Sequence, residues 1–149
     1  MYTFPILHLN EFYFFFFAGV EITRLSMPRW VQNGTEDSVV LDCEYNYSEQ
    51  DDKRLVVKWF LNDDPQPIYQ WIPELGLRAA SPRLQGRLNM DYAVSPSSQH
   101  TRYRALNIMR PTTDLSGRYS CHVVSMLSQD AEDQVMVVYG KINLFTSFK

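Results

Sequence analysis

Asp114-Leu115-Ser116-Gly117-Arg118-Tyr119-Ser120-Cys121 is the most informative stretch of this chain. Turn-forming residues run directly into an alternating segment, Arg118–Ser125, in which Tyr119 and Cys121 fall on one face and His122 and Val124 include the other. The sequence holds one other cysteine, Cys43. Two cysteines are too few for a thiolate zinc site, and neither stands in a Cys-x-x-Cys pair. Two buried free thiols and one disulfide are both open on these grounds.

Outward from this stretch, short apolar runs alternate with turn residues. Ser38–Tyr45 places Val39, Leu41, Cys43 and Tyr45 on one face, the period of a strand. Arg54–Leu61 is rich in β-branched and aromatic residues and predicts a central strand. Ile68–Ile72 reads as a short strand between Pro67 and Pro73. Glu21–Ser26, Arg87–Tyr92, Tyr103–Met109 and Gln134–Tyr139 are further strand candidates. Val31–Thr35, Tyr47–Lys53, Asn62–Pro65 and Ser95–His100 read as links, loops or turns, and Leu75–Pro82 as irregular. About nine short strands with turns every ~8–12 residues predict an all-β antiparallel sandwich or barrel. No internal repeat is visible, which excludes a solenoid or propeller.

The chain has 149 residues, 45% hydrophobic and 21% charged, which fits one globular domain with spare chain at its ends. Net charge is −3 with no basic stripe, so a nucleic-acid partner is not expected. No segment reaches the ~18–20 apolar residues of a membrane span. Residues 1–19, with the run Phe12–Phe17 ahead of Ala18-Gly19, read either as a poor signal peptide or as translated intron. In the second case, the pyrimidine-rich phenylalanine codons precede a splice acceptor, and Gly140-Lys141 carries a splice donor. Residues 20–140 form the domain, and 141–149 a disordered tail.

Cys43, Trp59 and Cys121, together with Asp-x-x-Gly-x-Tyr-x-Cys at 114–121, resemble the immunoglobulin superfamily over residues ~21–139. The resemblance implies an immunoglobulin-like antiparallel β-sandwich with a Cys43–Cys121 inter-sheet disulfide. It places Trp59 against that bridge and Tyr119 at a tyrosine corner. The long interval between the cysteines and the strand IYQWI suggest a variable-type (V-set) domain. Arg87 would pair with Asp114 across the bottom of the sandwich, in preference to Arg83. A disulfide implies an oxidising, extracellular setting. The sequons Asn33-Gly34-Thr35 and Asn46-Tyr47-Ser48 are glycosylation candidates consistent with it.

His8, His100 and His122 pair with no recognisable nucleophile, and Asp51-Asp52 and Asp63-Asp64 read as solvated turns, so neither an enzyme nor a cofactor is expected. A binding surface is expected on the front sheet (strands G, F, C and C′ in the family's naming). Lys58, Phe60, His122 and Val124 should point outward there; Tyr69 and Trp71, whose strand phase the sequence leaves open, either join them as binding residues or cover the sheet edge and pack under the Leu75–Pro82 loop. Apolar residues on both faces of the Gln134–Tyr139 strand suggest that its outer face is covered, and Trp30 reads as a packing residue.

Met27-Pro28-Arg29, Leu41-Asp42-Cys43-Glu44-Tyr45 and Val57-Lys58-Trp59-Phe60 are similar to the first domain of arthropod beaten-path-type neuronal recognition proteins. That similarity implies a protein ligand, another immunoglobulin-superfamily member, in adhesion or axon guidance. A homodimer is compatible with it. The rival expectations are a structural module of a longer receptor and a secreted immune receptor.

Overall fold

The computed structural model describes residues 19–141. The readings of the N-terminal segment through residue 18 and of the tail from residue 142 lie outside the described residues. Nine strands follow in order: β1 (Glu21–Ser26), β2 (Trp30–Gln32), β3 (Ser38–Asn46), β4 (Val56–Leu61), β5 (Tyr69–Ile72), β6 (Leu77–Ala80), β7 (Leu106–Met109), β8 (Gly117–Val124) and β9 (Gln129–Tyr139). They form a back sheet in the order β1-β3-β7 and a front sheet in the order β2-β9-β8-β4-β5-β6. Every pairing is antiparallel except β2 with β9. The result is an immunoglobulin-like sandwich.

Strand alternation builds the core. In β4, Val57, Trp59 and Leu61 are fully buried while Val56, Lys58 and Phe60 are half-buried. β3 contributes Val39, Leu41, Cys43 and Tyr45, and β8 contributes Tyr119, Cys121 and Val123. The Cys43–Cys121 disulfide joins the two sheets across 78 residues. The Tyr119 hydroxyl donates to the carbonyl of Leu115 at 2.6 Å, and burial raises its phenol pKa well above the ordinary value. At the base of β8 the chains come so close that a Cβ on Gly117 would lie 2.2 Å from Asn62 Oδ1. That oxygen accepts the Arg118 N–H at 3.0 Å, so a side chain at 117 would displace the bond.

Arg87 Nη1 donates to Asp114 Oδ2 at 2.8 Å, while Arg83 Nη2 donates to the Asp114 carbonyl at 2.8 Å. The Arg87 bond, seconded by the Thr112 hydroxyl, holds the Asp114 carboxyl down at about 2.

Several elements depart from expectation. Arg87–Tyr92 forms no strand: it reduces to one bridge, Leu88 with Ile108. The Asn89 side chain accepts the Asp91 N–H at 3.1 Å and turns the chain away. Leu75–Pro82, expected to be irregular, contains β6. A 3-10 turn at Pro73–Leu75 and Gly76 in the left-handed region (φ 58°) close a β5–β6 hairpin there. Val31, assigned to a link, lies inside β2. β9 starts at Gln129 rather than Gln134, because polar residues hide the alternation. Two of them hold β1 and the residue after it in place: Asp130 Oδ2 accepts the Ile22 N–H at 2.7 Å, and Gln134 Nε2 donates to the Met27 carbonyl at 3.0 Å.

Closing a loop of 78 residues should stabilise the fold by about 4–5 kcal/mol in chain-entropy terms. The Cys43→Ala/Cys121→Ala double variant is therefore expected to unfold at markedly lower urea. A midpoint equal to that of the parent would show that the bridge adds nothing.

Candidate functional site

The candidate surface is the outer face of the front sheet. Cross-strand register orders its side chains in rows. Val124 stands opposite Val56, and Ile72 opposite Leu77. Extending the β4–β5 register by one residue sets Val56 beside Ile72. These four make an apolar strip across four strands. The next row is Ala131, His122, Lys58, Gln70 and Ala79. Phe60 lies opposite Ser120, and its ring meets that of His122 with centroids 4.7 Å apart. Lys58, Phe60, His122 and Val124 are all half-buried on this outer face. Lys58 is the only charged residue of the two rows. Above the strip, at the same end of the sheet, Leu75, Met126 and Leu127 are 72%, 67% and 55% exposed.

Tyr69 and Trp71 do not belong to this surface. Both are buried, so of the two phases open to their strand the one that makes them binding residues is overturned. The register explains it: Tyr69 is opposite Trp59 and Trp71 opposite Val57, so both share the core-facing side of the sheet. The segment 100–104 covers them. The Tyr69 hydroxyl donates to the Tyr103 carbonyl at 2.8 Å, and the Trp71 ring meets Tyr103 edge-on at 5.8 Å. Arg78 lies over the other side of this cluster, 3.7 Å from the Tyr103 ring centroid.

The same segment takes two more buried donors. Trp59 Nε1–H donates to the Arg104 carbonyl at 2.9 Å, and the Tyr45 hydroxyl donates to the His100 carbonyl. The Arg104 guanidinium grips Asp42 of β3 with bonds of 2.7 and 3.0 Å. Nothing in the spacing of Asp42 and Arg104 announces this pair. Asp42 sits at an outward position of β3, where a solvated carboxylate is the default expectation.

Trp30, expected to pack, is 69% exposed. The outer face of β9 is also open rather than covered: Val135 is 50% and Tyr139 43% exposed. Asp52, expected in a solvated turn, is buried between two loops. Its Oδ1 accepts the N–H of Lys53 at 2.8 Å and of Leu127 at 3.2 Å, and Met126 N–H donates to the Lys53 carbonyl at 2.8 Å. Asp63 and Asp64 are exposed in a turn. Asn46 is exposed at the end of β3, and Asn33 is half-buried in the turn after β2. Among the described residues no group of three or more His, Cys, Asp or Glu is placed to hold a metal. No described helix is long and apolar enough to cross a membrane. No protein-family model matches the sequence, and no curated protein is similar enough to show a relationship.

Burial pushes the Tyr69 phenol up from 10.0 to about 12. A raised phenol pKa means that the fold favours the neutral form. Its stabilisation is complete below pH 10 and is lost as pH rises through about 12. Tyr69→Phe is expected to cost about 1 kcal/mol at neutral pH and to give a shallower loss of stability over that alkaline range. Urea titrations across this range measure both effects, and parallel pH profiles for parent and variant would contradict the assignment.

Proposed function

We propose that this chain is an extracellular recognition domain that binds another protein through the outer face of its front sheet. The observation that carries this is the strip Val124–Val56–Ile72–Leu77 with the Phe60–His122 pair beside it, in two rows that hold one charge, Lys58. Faces that are apolar at the centre and depleted of charge are where partners dock. Phe60 is the anchor, His122 its support, Val124 and Val56 the surrounding apolar contacts, and Lys58 the group that selects polarity. The disulfide fits an oxidising compartment. Asn46 is exposed on the back sheet, so a glycan there leaves the Phe60 face free. The partner we favour is another immunoglobulin-superfamily protein, met in adhesion or axon guidance, on the strength of the sequence resemblance alone.

The test is binding of the tetramerised full chain to a panel of purified cell-surface ectodomains. Phe60→Ser is expected to weaken binding at least about tenfold, while Arg24→Ser on the back sheet leaves it unchanged. Retention of no ectodomain by the parent, or equal retention by Phe60→Ser, would instead make the chain a structural module with no ligand on this face.

A further inference from the structure

Trp30, Val135 and Tyr139, all exposed, lie together on the edge of the front sheet away from Phe60. In the parallel β2–β9 pair, Trp30 stands opposite Val137 and Gln32 opposite Tyr139. Met136 and Val138 face the core, so Val135, Val137 and Tyr139 share the outer face. Arg29, Trp30, Asp133, Val135 and Val137 line one shallow depression there. An exposed tryptophan among such neighbours is the kind of group that anchors an interface.

The order of residues along this face says what covers it. Asp133, Val135, Val137, Tyr139 and, two residues on, Lys141 read acid, apolar, apolar, apolar, base; all but Val137 are exposed. The order is self-complementary about Val137. A second copy laid antiparallel on this face sets its Lys141 against Asp133 and its Tyr139 against Val135. Val137 and Trp30 then lie near the twofold axis. Such a contact uses the same patch on both copies and closes on itself. The carboxylate of Asp133 is available for it: its ion pair with Arg118 is 3.8 Å long, and the two side chains are 58% and 54% exposed. Lys141 forms no ion pair among the described residues.

We propose that a second copy of this chain docks here, as a twofold dimer centred on Val137 and Trp30. Asn33 adjoins the Tyr139 end, since its N–H donates to the Tyr139 carbonyl at 2.8 Å, so a glycan there would stand at the rim. Sedimentation equilibrium is therefore run on the full chain and on Asn33→Gln. A monomer–dimer equilibrium is expected in at least one of them, and the further variants are made in that background. Trp30→Ser should weaken it at least about tenfold. Asp133→Lys and Lys141→Asp should each weaken it, because like charges then meet at both ends. An equimolar mixture of those two variants should restore dimerisation, because the mixed pair again opposes unlike charges. Monomer in both proteins up to about 100 μM overturns the proposal, as does a dimer indifferent to Trp30→Ser or to the charge reversals. Phe60→Ser should leave the dimer intact, so the outcome is independent of ligand binding on the Phe60 face.

Discussion

Three of the buried aromatic side chains of this sandwich each need an acceptor for an N–H or O–H, and one five-residue segment supplies all three. Tyr45, Trp59 and Tyr69 come from β3, β4 and β5, and they end on the carbonyls of His100, Arg104 and Tyr103. A buried donor left without an acceptor costs about 1–3 kcal/mol, a sizeable share of the roughly 5–15 kcal/mol by which a domain is stable. The segment is thus fixed by the core, and it fixes the core in return. The Asp42–Arg104 pair fastens the same segment to the outer surface of the back sheet.

How much of this was legible in the residues differs from one feature to the next. The strands with strict alternation, β3 and β4, could be read directly, because only one phase buries their apolar residues. β5 could not: Tyr69 and Trp71 alternate with Gln70 and Ile72, and an amphipathic tyrosine satisfies either face. Its phase is set by the pairing of Trp59 with Tyr69, a tertiary fact. β9 misled for the opposite reason. Its first half is polar on the side that meets β1, because Asp130 and Gln134 bond to backbone rather than pack. Trp30 looked like core by composition, but a strand of three residues at a sheet edge has only one inward position, and Val31 fills it.

Of the residues expected on the candidate surface, Lys58, Phe60, His122 and Val124 occupy outward positions because Trp59 and Cys121 fix the parity of their strands. Val56 shares the parity of Lys58 and Phe60 and follows from Trp59 in the same way, whereas Ile72 needed the β4–β5 pairing and Leu77 the hairpin between β5 and β6. The two faces on which function is proposed lie on either side of Ser120 and Arg118, the polar outward residues of β8. The front sheet thus presents two apolar regions with water-facing residues between them.

Asp52 binds the loop that follows β3 to the hairpin between β8 and β9, through one carboxylate oxygen shared by Lys53 and Leu127. The neighbouring Met126–Lys53 backbone bond repeats the tie. Two loops joined in this way cannot change length independently. An insertion in either would strand a buried carboxylate, so descendants of this domain should diversify that rim by swapping side chains such as Met126 and Leu127 rather than by adding residues, a path that conserves loop shape while chemistry drifts.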